Sequence, residues 1–197
     1  MTQDVFLIGG PNGAGKTTAS MVLLPKYLDV FEFVNADDIA RGVNPLNAAS
    51  ANIAAGRIMI DRIKDLIAGK KNFAFETTCA GHHHIATLNE CRAAGYRLNL
   101  VFYWLPSAEM AVQRVKFRVR QGGHDIPEDT IRRRYVAGLR NLVNLYLPLV
   151  DTALVLDNSN VPVGDEGQVI AEKVAGEDLQ ISDAAIWQQI MNTETKG

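Results

Sequence analysis

The chain has 197 residues, 47% of them hydrophobic, which suits one globular domain over residues 1–197 with a real core and leaves no room for a second catalytic domain. A net charge of −2 argues against a protein that coats nucleic acid by charge alone, and no apolar run approaches the roughly 18 residues of a membrane span. With no charged and apolar leader, and only Cys79 and Cys91 without metal-ligand spacing, the expected setting is the cytoplasm with both thiols free.

The first expected element is a buried parallel strand, "VFLI" at 5–8, which breaks into "GGPNGAGKTT". Gly10, Gly13 and Gly15 free the backbone to turn its amide hydrogens inward as an anion nest, and the helix expected from Lys16 to about Tyr27 adds its positive end. The spacing Gly10-x-x-x-x-Gly15-Lys16-Thr17 is that of a nucleotide-binding P-loop. Gly10, Pro11, Asn12, Gly13, Ala14, Gly15, Lys16, Thr17 and Thr18 are therefore candidate ATP contacts. Lys16 would reach the β/γ-phosphates and the Thr17 hydroxyl would ligate Mg²⁺.

"VFEFVNAD" at 30–37 reads as a short strand ending in acid. A helical pattern over 45–69 follows, with Ile53, Ile60, Ile63 and Ile67 recurring and Gly69 as its cap. "NFAFETT" at 72–78 is a third strand, also ending in acid. A helix over 83–93 leads to "RLNLVFYWL" at 97–105, apolar on both faces and so central. A helix over 107–121, the turn "GGHDIP", and a helix opened by Pro127, Glu128 and Asp129 and running to about 145 come next. "TALVLDNS" at 152–159 is the fifth strand. One or two terminal helices close the chain, the last capped by Ser182, before a disordered tail at 193–197. This alternation predicts an α/β, three-layer P-loop NTPase/kinase fold with a mainly parallel five-stranded central sheet and a helical lid.

Ligands of such sheets bind beyond the carboxyl ends of the strands, which directs attention to the residues there. Asp37 is a candidate general base across the phosphates from Lys16, with Asp38 as its substitute; the competing reading makes "NADD" a capping or turn cluster. Glu76, with Thr78 beside it, is a candidate for metal-bound water or substrate hydroxyls, against a plain helix-capping role. Arg114 and Arg118 lie one turn apart and would offset charge at the γ-phosphoryl group if Gly122 and Gly123 let a lid close; the alternative is two arginines that solvate a helix. Residues 113–140 carry eight basic against three acidic side chains, yet the consecutive Arg132, Arg133 and Arg134 cannot share one helix face. The run His82 to His84 diverges on any regular element, which disfavours a metal site.

The ordered pieces "GGPNGAGKTT", "VNADDIA", "AGR", "FAFETTCAG", "RVKFRVRQGGHDIP", "IRRRY" and "VLDNS" make the chain resemble the zeta toxin family of P-loop kinases, in its compact bacterial branch, over about 5–159. The resemblance implies phosphorylation of UDP-N-acetylglucosamine by ATP and Mg²⁺, opposed by an antitoxin that blocks the nucleotide site. By position it makes Lys16 the phosphate lysine, Asp37 the base, Glu76 and Thr78 substrate contacts, and Arg114 or Arg118 lid arginines. The expected function is therefore a phosphotransferase acting on a small-molecule hydroxyl, without membrane or nucleic-acid partners. Two rivals stand beside it: an ATP-hydrolysing switch acting on a protein, and a polynucleotide 5′-kinase. No "LSGGQ"-like stretch supports an ABC-type ATPase.

Overall fold

A computed structural model describes residues 2–123, 125–160 and 167–194; His124 of the expected turn and positions 195–197 of the expected tail lie outside the described residues. A seven-stranded sheet has the order β2-β3-β1-β4-β5-β6-β7. Its strands are β1 (Asp4–Gly9), β2 (Phe33–Val34), β3 (Phe73–Glu76), β4 (Arg97–Trp104), β5 (Thr152–Asp157), β6 (Gln168–Lys173) and β7 (Gln180–Ile181). The helices are α1 (Lys16–Tyr27), α2 (Ala36–Val43), α3 (Asn52–Ala68), α4 (His83–Ala93), α5 (Ala108–Arg120), α6 (Glu128–Asn141), α7 (Leu147–Leu149) and α8 (Ala184–Glu194). The first five strands pair in parallel, as the alternating pattern predicts.

β1 and β4 form the centre because each is apolar along both faces: Val5, Leu7 and Ile8 are fully buried, as are Leu98, Phe102 and the following Leu105. Register then sets the ligand edge. Ile8 lies beside Glu76, Gly9 beside Phe102, and Trp104 beside Asp157, so the loops after β1, β3, β4 and β5 open on the same edge.

Four sequence expectations are corrected. The sheet has seven strands, not five: β6 runs antiparallel to β5 and β7 antiparallel to β6, where only terminal helices were expected. Ile170 and Ala171 supply the buried positions of β6, a stretch too short to announce itself between charged neighbours. Ser182 is not the cap of α8; its N–H bonds Ile170 O, and the Asp183 carboxylate accepts from Ile186 N at 2.9 Å. Residues 45–69 are not one helix, since a 3₁₀ turn over Ala48–Ala51 precedes α3. Ala55, Met59, Ile63 and Leu66 form the inward stripe of α3, leaving Ile53 75% exposed, because Ala40, Ala51 and Ala55 pack together and fix its rotation. The last correction concerns 30–37, where only Phe33 and Val34 are extended and α2 starts at Ala36.

After α6 the chain widens into a π-type turn over Leu142–Tyr146, a geometry that often accompanies functional sites. Tyr146, fully buried, donates its hydroxyl to Gly81 O at 2.8 Å, and Asn141 donates to Cys79 O at 2.8 Å. This segment thereby holds the turn that follows β3.

Candidate active site

The loop between β1 and α1 takes the nest form that its glycines predict. Gly13 and Gly15 have φ of 76° and 81°, and Gly15 stands in the left-handed region at the start of α1. At Gly13 a Cβ would come within 3.0 Å of Ala111 O and the Arg114 Cβ, so α5 is seated directly on the loop tip. Asn158, just beyond β5, donates to Ala14 O at 2.6 Å and clamps the loop from the other side. Asn158 was within "VLDNS", but only the folded chain reveals this clamp.

Lys16 is 5% exposed, donates to Pro11 O at 3.0 Å and lies 3.4 Å from Glu76 Oε1. The other carboxylate oxygen of Glu76 accepts from Thr17 Oγ1 at 2.6 Å and from Asn35 Nδ2 at 2.9 Å. Lys16 and Thr17 of α1 and Asn35 at the start of α2 thus converge on one carboxylate at the end of β3, whose charge is balanced by the ammonium and satisfied by two donors. Thr17 and Glu76 offer adjacent hard oxygens, the donor chemistry that suits Mg²⁺.

Asn35 caps α2 by accepting from Asp37 N at 2.9 Å. The capping reading of "NADD" therefore holds for Asn35, and it leaves the Asp37 carboxylate itself without a partner among the described residues. Asp38 instead forms an ion pair with Arg41. Asp37 borders the same cavity as Lys16, Thr17 and Glu76, a volume of about 1070 Å³ that also touches Gly13, Gly15, Thr18, Arg114 and Arg118. From this polar end the cavity runs along α1 over an apolar wall that includes Phe6, Leu23 and Leu154. Thr78 is not among its lining residues; it lies two residues beyond Glu76, where α6 covers the turn. Gly10, Pro11, Asn12 and Ala14 are the buried part of the loop, and Asn12 Oδ1 has no hydrogen-bond partner among the described residues.

Arg114 donates to Ser159 O at 2.7 Å and so bridges α5 to the end of β5. Gly123 folds back under Arg118, where a Cβ would meet Arg118 Cγ at 2.5 Å. By contrast Lys116 pairs with Glu128, and Arg132 with Glu109 and Glu128, which ties α5 to α6 and neutralises part of the basic segment. If Arg114 and Arg118 serve the lid role expected of them, Arg114→Ala or Arg118→Ala should lower turnover while leaving ATP affinity nearly unchanged, the behaviour of groups that act only on the transition state. Arg120→Ala, measured alongside, should match the wild type.

Among the described residues no group of three or more His, Cys, Asp or Glu side chains assembles that could hold a metal ion. His84 packs against the Phe75 ring at 5.1 Å, and burial followed by the neighbouring His83 pushes its pKa down to about 3. Burial lowers His83 as well. Because the unfolded chain takes these protons more readily, the histidine contribution to stability is complete above about pH 6.5 and is lost as pH falls toward 3. Thermal melts should show this acid limb, and His84→Gln should flatten it. Cys79, fully buried beneath the loop, has its thiol pushed up to about 12 by desolvation, which keeps it protonated and unsuited to nucleophilic work.

A family model for zeta toxin matches residues 2–163. The chain belongs to the zeta toxin family. An uncharacterized protein of Haemophilus influenzae is 33% identical to this zeta toxin family member over 136 residues, covering 68% of this chain and 94% of its own length. Among solved structures, one from the PezAT chromosomal toxin-antitoxin system of Streptococcus pneumoniae is similar with a TM-score of 0.65 at 14% identity, over 99% of this chain and 85% of that chain. The AvrRxo1-ORF1:-ORF2 structure with ATP is similar with a TM-score of 0.77 at 14% identity, over 98% of this chain and 64% of that chain. Likeness at such identity is evidence of fold alone. The family assignment and the P-loop kinase fold together support a nucleotide-dependent phosphotransferase. No described helix is long and apolar enough to cross a membrane.

Proposed function

We propose that the chain transfers the γ-phosphoryl group of ATP to a hydroxyl of a small molecule, with Mg²⁺ as cofactor and a nucleotide-sugar such as UDP-N-acetylglucosamine as the first acceptor to test. The observation that carries this reading is the placement of an uncommitted carboxylate, Asp37, on the same cavity as the Lys16–Thr17–Glu76 network.

In this reading the backbone amides of Gly13 to Thr18 and the start of α1 hold the phosphates. Lys16, now resting on Pro11 O and Glu76, turns its ammonium to the β/γ-phosphates. Thr17 and Glu76 would hold Mg²⁺, which neutralises charge on the transferring group when bound. Asp37 accepts the proton of the attacking hydroxyl, while Arg114 and Arg118 stabilise the charge that spreads over the phosphoryl oxygens.

An antitoxin partner is part of the same proposal, supported by the resemblance to the PezAT toxin-antitoxin system. Pairing of Lys116 and Arg132 with acidic side chains weighs against an oligonucleotide acceptor, because those cations already have partners. The test is ADP release with a panel of UDP-sugars, nucleosides and oligonucleotides beside a no-acceptor control. Stimulation by one small-molecule class supports the reading; acceptor-independent ADP release would replace it with an ATP-hydrolysing switch.

A further inference from the structure

Asn35 stands where β2 ends and α2 begins, 6% exposed, with an extended backbone at φ −129° and ψ 119°. Its planar amide is used at both ends. Oδ1 accepts from Asp37 N at 2.9 Å, while Nδ2 donates to Glu76 Oε2 at 2.9 Å and lies 3.4 Å from Thr17 Oγ1. One buried side chain therefore joins the backbone that carries Asp37 to the carboxylate shared by Lys16 and Thr17.

A cap alone would not call for asparagine. Aspartate, serine and asparagine serve about equally at the start of a helix, because the helix asks only for an oxygen that accepts. Glu76 asks for a donor. Asn35→Asp would set a second carboxylate against it, and Asn35→Ser would offer one oxygen for two partners on opposite sides. Of the residues that cap helices well, only asparagine carries an acceptor and a separate donor held in one plane.

The rest of α2 is held by apolar contact. Ala36 and Ile39 pack on the main core, and Ala40 packs with Ala51 and Ala55 in a small separate cluster. Those contacts keep the helix against its neighbours but carry no direction. The Asn35 amide supplies a direction at the turn that bears Asp37.

We propose that Asn35 is a positioning residue, which ties Asp37 to the Lys16–Thr17–Glu76 network so that the acceptor hydroxyl and the γ-phosphoryl group are brought into line together. This inference rests on the phosphotransferase reading and assigns Asn35 no contact with either substrate. It acts through Asp37 and Glu76.

The test measures transfer from ATP by the full chain to UDP-N-acetylglucosamine, or to the panel member that stimulates ADP release in its place, with a melting curve for every variant. Asn35→Ser, which keeps the cap and loses the link to Glu76, should lower kcat by roughly 10–100-fold with the KM for ATP nearly unchanged, the loss expected when a supporting hydrogen bond no longer holds a reacting group. It should melt above Asn35→Ala, which loses both contacts. Asn47→Ala, which removes the cap of the neighbouring 3₁₀ turn, should turn over like the wild type.

The decisive comparison is made in an Asp37→Asn background. There Asn35→Ser should cost little further activity, because no base remains to be positioned, whereas a merely structural role would cost the same factor in both backgrounds. The assignment is overturned if Asn35→Ser keeps the wild-type kcat, if its loss is the same factor with and without Asp37, or if Asn47→Ala loses as much. Full activity of the Asp37→Asn single variant, or no transfer by the wild type to any acceptor of the panel, would be a separate result: the first would overturn the base assignment and the second the phosphotransferase reading, each together with this inference.

Discussion

Lys16→Met should give a folded protein whose phosphoryl transfer falls by at least about 10²–10³-fold, the loss that accompanies removal of one preorganised charge-stabilising donor. Methionine is the informative substitute because Lys16 is 5% exposed, and its stem helps to fill the space under the loop. Glu76 would lose its ionic partner at 3.4 Å but keep the Thr17 and Asn35 hydrogen bonds. Circular dichroism and a melting curve should therefore report a native fold, with some loss of stability from the unbalanced carboxylate. Transfer at the wild-type rate would remove the P-loop assignment.

Asp37→Asn should lower turnover by about 10²–10⁴-fold with little change in ATP affinity, because the amide keeps the shape and cannot accept the hydroxyl proton. Asp38→Asn is the matched control. Asp38 is occupied by Arg41 at the surface, whereas Asp37 borders the cavity with its carboxylate uncommitted. A larger loss in Asp38→Asn would move the base by one residue. Comparable small losses in both variants would return the pair to the role of acidic residues that complement the start of α2.

The parts of this fold that local chemistry dictates are the parts legible in the sequence. Helix α1 spans Lys16–Tyr27 as expected, because a glycine nest followed by Lys-Thr-Thr has few other conformations. β4 is central because seven consecutive residues from Leu98 are buried. Ser107 accepts from Met110 N as a helix cap, a contact spanning only three residues. Legibility fails where distant partners decide. β6 exists because Ile170 and Ala171 find an open edge on β5, and α3 turns Ala55 inward because α2 carries Ala40.

The same division runs through the site. Lys16, Thr17, Asp37 and Glu76 were nameable from motif and strand-end position, and Arg114 and Arg118 from their one-turn spacing on a helix that leads into a glycine pair; all six line one cavity. Asn158 on Ala14 O, Asn141 on Cys79 O and Gly138 against Thr78 O join residues more than fifty positions apart, so no local pattern signals them.

The most direct measurement follows the γ-phosphoryl group itself. Wild type is incubated with ATP, Mg²⁺ and UDP-N-acetylglucosamine, and ³¹P NMR is recorded with Lys16→Met and Asp37→Asn alongside. The expected result is a new phosphomonoester resonance that grows in step with ADP and is lost in both variants. ADP accompanied only by inorganic phosphate, at a rate the same with or without this acceptor and any other in the panel, would contradict the account.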